Sequence, residues 1–288
     1  MRVYVLGDRR KGSVRAVLDA LLPWLRDRVE VVGVELDGKP LDRVRADLLL
    51  VLGGDGSILG AARRLAGNAV PTLGVNLGRL GFLAAVRPEE VRGALERVFE
   101  GRHEVEERMM LDLEVRAGAK RRWRGPALND GVVERTRRAG MITVEVRLGG
   151  KGVTAYRGDG LIVSTPTGAT GYGLSAGGPI VGPGLDAFIV TPICPHTLTN
   201  RPLVVPADEP VELRVPEAPE GALFIADGQE RVEIGPKDRV LVARAKARFR
   251  LVTVGGDYYA RLRGTLGWRG AFDLQDPAPP APPVVRKR

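Results

Sequence analysis

The segment Val51-Leu52-Gly53-Gly54-Asp55-Gly56-Ser57-Ile58-Leu59 sets one carboxylate among three glycines and a hydroxyl. The apolar run before it, Leu48 to Leu52, predicts a buried strand, and Ile58, Leu59, Ala61, Ala62 and Leu65 predict a helix from Ser57 onward. A strand thus delivers Asp55 into a tight turn at a helix N-terminus. Glycines there let a phosphate approach the backbone, and helix-end N–H groups favour an anion. A phosphate repels a carboxylate, so Asp55 would have a task of its own. It could hold a metal ion or take a proton from a hydroxyl, with helix capping as the plain structural alternative. Two common nucleotide motifs do not fit. G-x-G-x-x-G fails because position 59 is Leu, and a P-loop fails because the loop has no Lys.

The elements that must position Asp55 follow from periodicity. Residues 2–7, 29–36, 47–52 and 70–75 read as strands. Helices are expected over 14–28, capped by Ser13 and bent or broken by Pro23, and after Pro88 with Val91, Ala94, Leu95 and Val98 on one face. Strand alternating with helix over residues 1–101 predicts a doubly wound, Rossmann-like α/β domain, with ligands at the carboxyl ends of its strands. Residues 251–275 are expected to complete it, including a short helix over Asp257 to Leu266 that packs back on it. Between them the period changes to two, as in Met110 to Val115, Ile142 to Val146 and Val211 to Val215. Residues 102–250 therefore predict an all-β sandwich domain. The Pro-Ala-rich stretch within 276–288 predicts a disordered tail.

Composition narrows the class. The chain has 288 residues, 44% hydrophobic and 27% charged, as expected of a globular protein with a sizeable core. No apolar run is long enough to span a bilayer, and Met1 to Gly7 runs into a strand without signal-peptide organisation. A cytoplasmic protein is the expectation. One cysteine, Cys194, excludes an intramolecular disulfide and a multi-cysteine metal site; it reads as a buried small residue. His103 and His196 leave little for a His-based metal site, and His196 reads as structural. The net charge is +9, but the basic residues are dispersed and Lys120 to Arg124 reads as a solvated loop. That favours anionic metabolites over nucleic acid or a membrane surface.

Gly53-Gly54-Asp55-Gly56-Ser57 resembles the GGDG(T/S) motif shared by NAD kinases, diacylglycerol-type lipid kinases and 6-phosphofructokinases. Further segments resemble the NAD kinase family in particular. They are Leu128-Asn129-Asp130-Gly131, the long stretch Gly158-Asp159-Gly160 to Gly177-Gly178-Pro179, Thr191 to His196, Asn200-Arg201-Pro202 and Asp227-Gly228-Gln229. The resemblance runs in consistent order from about residue 3 to 268.

It implies phosphoryl transfer from ATP or polyphosphate, with magnesium, to the 2′-hydroxyl of the adenosine ribose of NAD. Asp55 would be the base, with Gly53, Gly54, Gly56 and Ser57 around the donor phosphates. Asn129 and Asp130 would meet ribose or adenine, Asp159 the nicotinamide amide, and Arg157 the pyrophosphate. Thr170, Gly171, Tyr172 and Ser175 would form a close-approach loop, Phe82 and Tyr172 walls for adenine, and Gln229 a contact from the β domain with Asp227 nearby. Magnesium would need few direct protein ligands, and a homodimer or homotetramer built through the β domain is implied. The chain departs from the family pattern twice: Asp130 stands where Glu is usual, and Ala169-Thr170-Gly171-Tyr172 where Ser-Thr-Ala-Tyr is more common. The alternatives are a lipid kinase of the same superfamily, a non-catalytic NAD(P)-binding regulator and, on charge alone, a nucleic-acid binder.

Overall fold

The computed structural model describes residues 1–78, 81–136, 140–197, 199–219, 221–255 and 258–268. Strand and helix alternate first, through β1 (Arg2–Leu6), α1 (Gly12–Arg26), β2 (Glu30–Glu35), β3 (Leu48–Leu52), α2 (Asp55–Leu65), β4 (Thr72–Val75), α3 (Val91–Phe99) and β5 (Glu104–Arg108). Strands then dominate: β6 (Leu111–Ala117), β7 (Lys120–Ala127), β8 (Asp130–Arg135), β9 (Ile142–Leu148), β10 (Lys151–Gly158) and β11 (Gly160–Ser164). After the short helix α4 (Tyr172–Ser175) come β12 (Ala187–Ile193), β13 (Leu203–Pro206), β14 (Val211–Glu217), β15 (Ala222–Ala226), β16 (Glu230–Ile234), β17 (Asp238–Arg244) and β18 (Phe249–Thr253). Helix α5 (Tyr258–Leu266) belongs to a separate unit that begins after Gly255. The tail expected to be disordered lies outside the described residues.

The first sheet has the order β2-β1-β3-β4-β18-β5. All its neighbours are parallel except β18 and β5. Every residue of β3 is buried, as a central parallel strand with both faces covered must be. One face packs α1 and α3 through Val14, Leu18, Leu21, Leu25, Val91, Leu95 and Val98, and the other packs α2 through Ile58, Ala61, Ala62 and Leu65. The remaining strands form two antiparallel six-stranded sheets, ordered β10-β9-β14-β17-β6-β7 and β13-β12-β11-β8-β15-β16. Their inward residues, such as Leu113, Val146, Leu213 and Val240 against Val133, Val163, Phe188 and Phe224, share one core. The α/β domain and β sandwich are as expected.

Several local expectations are corrected. Glu104–Arg108 is not part of the sandwich. It pairs antiparallel with β18 at the edge of the first sheet. Helix α1 begins at Gly12, so Ser13 lies inside it and Lys11 holds the cap position without a side-chain bond. Pro23 does not break α1. It sits one turn from the end, and the buried stripe Val14, Leu18, Leu21 and Leu25 stays continuous across it. Lys120 to Arg124 is strand, not loop. Arg122 and Arg124 pair across the sheet with Asp238 and Asp112, both at 2.6 Å, and Trp123 packs edge-on against Phe224. Cys194 is exposed with a positive φ, and His196 is exposed as well. Both lie in the turn after β12, where no apolar layer covers them.

Candidate active site

Helix α2 starts at Asp55 itself, with Gly54 as its cap. The Asp55 carboxylate does not cap its own helix. Oδ2 accepts the Phe82 N–H at 2.8 Å, and Oδ1 accepts those of Leu83 and Ala84 at 3.1 and 2.9 Å. The side chain therefore ties the glycine turn to the loop after β4. A side chain at Gly81 would collide with that carboxylate, and one at Gly53 with Ser57. Gly54 and Gly56 differ. A methyl group there would meet nothing within 4 Å, so protein packing does not require these two glycines. Their bareness leaves the first turn of α2 open to a ligand.

A crevice of about 740 Å³ opens beside that turn, lined by Leu6 to Lys11, Leu36 to Gly38, Gly54, Gly56, Ser57, Gly60, Arg63, Arg64 and Gln229. It lies at the carboxyl ends of β1 and β3, where the strand order reverses, and open parallel sheets bind ligands at that point. Its basic groups are unequally engaged. Arg9, Arg10 and Arg64 pair with Asp37, Asp8 and Glu35. Arg63, whose side chain is 13% exposed, lies 3.6 Å from Glu230, and its buried Nη1 has no hydrogen-bond partner among the described residues. A second crevice of about 760 Å³, beside Gly67, Trp123 and Lys246, is lined by none of the predicted site residues.

Asn129 and Asp130 sit where β7 passes into β8. The carboxylate of Asp227 accepts the N–H groups of Leu128, Asn129 and Asp130 at 2.9, 2.8 and 3.1 Å. Thr165 fastens the same segment from the other side, through N–H to Asn129 O at 2.8 Å and Oγ1 to Leu128 O at 2.7 Å. Gly168 presses so close to the Asn129 backbone that any side chain there would collide with it. Against this rigid backbone the Asn129 Oδ1 is buried and has no hydrogen-bond partner among the described residues. Asp130 is 5% exposed; burial, aided by Asp227, pushes its carboxyl up to about 7. Burial also raises Asp227, against the pull of its three N–H bonds.

The other expected residues are placed as follows. Tyr172 is 43% exposed. Burial raises its hydroxyl, with the charges of Glu134, Cys194, Asp159 and Asp130 adding to the effect. Asp159 is held by Arg135, Nε to Oδ1 at 2.7 Å. Arg157 is exposed and Phe82 half-buried, and Phe82 belongs to none of the buried apolar clusters. Thr170 Oγ1 donates to Thr167 O at 3.0 Å, and Ser175 is exposed at the end of α4. Gln229 reaches from the sandwich to α2, Nε2 to Gly56 O at 2.9 Å. Gln229 thus joins the Gly56 end of α2 to the turn whose Asp227 holds the Leu128–Asp130 backbone. Arg63 lines the crevice and Arg135 holds Asp159, so two further basic residues lie beside the expected ones. The sequence offered no signal for either, since each pairs with a residue distant along the chain.

Gly171 explains one departure from the family pattern. A methyl group on it would lie 3.2 Å from both Asn129 Nδ2 and Gly168 O, tighter than ordinary contact. Gly171→Ala is therefore expected to push on the Asn129 amide and, for the NAD substrate that the resemblance implies, raise KM with kcat nearly unchanged. Steady-state kinetics check this, and a collapse of kcat alone would remove the binding role.

Residues 24–103 match the ATP-NAD kinase N-terminal domain, and residues 128–254 match the ATP-NAD kinase C-terminal domain. The NAD kinase of Geotalea daltonii is 44% identical over 225 residues, 78% of this chain and 79% of its own length. That of Geobacter metallireducens is 46% identical over 224 residues, covering 77% and 79%. The chain belongs to the NAD kinase family. Solved members share its architecture. Yeast NADH kinase complexed with NADH superposes with a TM-score of 0.84 at 25% identity, covering 96% of this chain and 90% of that one. An NAD kinase from Archaeoglobus fulgidus in complex with ATP gives 0.73 at 32% identity, covering 93% and 98%. Within this family the Gly53–Ser57 turn and the Asn129–Asp130 segment of this chain fall in the N- and C-terminal matches respectively. Among the described residues no helix is long and apolar enough to cross a membrane.

Proposed function

We propose that this NAD kinase family member transfers the terminal phosphoryl group of ATP, or of polyphosphate, to the 2′-hydroxyl of the adenosine ribose of NAD, forming NADP. The supporting observation is the position of Asp55. Its neighbours Gly54, Gly56 and Ser57 line the crevice at the β1–β3 switch point, and Gln229 joins Gly56 to the turn whose Asp227 clamps the Asn129–Asp130 segment. A donor in the crevice and an acceptor on Asn129 would meet at this carboxylate.

Phosphoryl transfer asks for positioning and charge neutralisation more than covalent work by the protein. The N–H groups of the bare first turn of α2 would receive the donor phosphates, with Ser57 adding a hydroxyl and Arg63 Nη1, unbonded among the described residues, a charge-assisted donor. Each carboxylate oxygen offers about two lone-pair sites. Oδ1 of Asp55 spends both on Leu83 and Ala84, whereas Oδ2 spends one on Phe82. Oδ2 is therefore the oxygen that would take the 2′-hydroxyl proton. Asn129 Oδ1 would accept from the adenine amino group or a ribose hydroxyl, and the exposed Tyr172 face would stack on adenine. Among the described residues no three His, Cys, Asp or Glu side chains are arranged to hold a metal. A magnesium ion carried by the donor phosphates and water would neutralise phosphate charge when bound. A cytoplasmic homodimer or homotetramer assembled through the sandwich completes the proposal.

The test is purified full-length chain with magnesium, crossing ATP or polyphosphate against NAD or NADH, with diacylglycerol as a control acceptor. Formation of NADP or NADPH is expected. Phosphorylation of diacylglycerol without it would favour the lipid-kinase alternative.

A further inference from the structure

We infer that the hairpin turn Asp227-Gly228-Gln229 is a positioning device, which keeps the acceptor segment Leu128–Asp130 and the first turn of α2 in one register. The inference rests on the role proposed for Asp55 and adds a different set of residues to the machinery.

The turn joins β15 to β16. Asp227 has φ +48°, Gly228 has φ +67°, and Gln229 N–H donates to Ala226 O at 2.9 Å. Two consecutive positive φ values are the pattern of a type I′ turn, which favours Asp-Gly. The turn chemistry alone would be satisfied by Asn-Gly. The carboxylate has a second task, because it receives three consecutive backbone N–H groups, while the Asp227 N–H donates to Asp130 O at 2.9 Å. An amide side chain has only one acceptor oxygen and would set its own N–H groups against one or more of those donors. Asp227 is 6% exposed and its lone pairs are largely spent inside the protein. It acts through Asn129 and Asp130 and does not itself contact NAD.

Two residues on, Gln229 Nε2 donates to the carbonyl of Gly56, the residue beside Asp55. Glu230 and Arg63 add a looser strap at 3.6 Å between the same two elements. One rigid turn therefore grips the segment expected to hold the acceptor and the helix end expected to receive the donor. Misplacement of about 1 Å between reacting groups can cost on the order of 10²-fold in rate. A short turn with little internal freedom suits that tolerance.

The experiment is a double-mutant cycle of Gln229→Ala with Asp55→Asn in full-length protein, assayed with Mg-ATP and NAD. Gln229→Ala is expected to lower kcat about 10–100-fold, leave KM for NAD nearly unchanged, and leave Tm close to wild type. In the Asp55→Asn background the further loss should be smaller, because part of its effect runs through the placement of Asp55. An undiminished kcat in Gln229→Ala, or an equal loss in both backgrounds, overturns the inference; the latter would mean that Gln229 binds the donor directly. An active Asp55→Asn protein would instead sink the base assignment, and the two failures are distinguishable. For the other arm, Asp227→Asn should raise KM for NAD about tenfold. Should it not fold, Gly228→Ala distorts only the turn, since its methyl group meets nothing within 4 Å. Unchanged kinetics in Gly228→Ala would overturn the inference as well.

Discussion

Asp55→Asn is expected to lower kcat by about 10²–10⁴-fold, the range of a lost general base, while NAD binding persists. The loss has two parts in this structure. The asparagine oxygen can replace Oδ1 and still accept from Leu83 and Ala84. Its amide nitrogen then replaces Oδ2, cannot take a proton from the ribose hydroxyl, and faces the Phe82 N–H donor to donor. The second effect should destabilise the loop after β4 by about 1 kcal/mol, the low end of the cost of an unsatisfied group, since Phe82 is half-buried. Phe82 is an expected wall of the adenine pocket, so a modest weakening of NAD binding is part of the prediction. Isothermal titration with NAD, thermal melting and steady-state turnover separate the parts. Turnover near wild type would remove Asp55 as the base.

The second large effect belongs to Asp130. Its folded carboxyl is pushed up to about 7 from an ordinary value of 3.8, by burial first and by Asp227 second. Between roughly pH 4 and 7 the native state therefore holds a proton that the unfolded chain has released. Stability contributed by this group is full below about pH 4, falls as pH rises through that window, and is lost above 7. Each pK unit corresponds to about 1.4 kcal/mol, so the whole change is on the order of a few kcal/mol. Asp130→Asn removes the ionisation. It is expected to be more stable than wild type at pH 8, with the difference shrinking toward pH 4, as urea melts across pH would show. The same variant should bind NAD more weakly at pH 8, where a charged carboxylate is the better partner for a ribose diol. Equal melting curves for the two proteins at pH 8 would refute the buried-charge account.

Much of this was readable from residue order, for physical reasons. The apolar block Leu48–Leu52 could only be a covered strand, so the carboxylate after it had to lie at the ligand end of a parallel sheet. Alternation over residues 111–115, 142–146 and 211–215 announced the sandwich. Other features depend on contacts between residues far apart in sequence. Nothing near Asp55 indicates that residues 82–84 will occupy its oxygens, because those partners lie 27 to 29 residues away. Asp227 looked like a ligand contact; only its hydrogen bonds 97 to 99 residues back show it holding the Asn129 backbone. Gln229 likewise bonds to a carbonyl 173 residues away. Glu104–Arg108 lacks strict alternation, and its membership of the first sheet is decided by β18, which comes nearly 150 residues later. Cys194 was misjudged because an apolar strand precedes it, whereas the chain turns outward at that residue.

The most direct measurement is a crystal structure of the full chain with NAD and a non-hydrolysable ATP analogue. The account predicts the adenosine 2′-oxygen within about 2.6–3.2 Å of Asp55 Oδ2, the reach of a general base. It also predicts the analogue's terminal phosphate at the first turn of α2. NAD bound with its adenosine ribose away from Asp55, or the analogue seated outside the β1–β3 crevice, would contradict it.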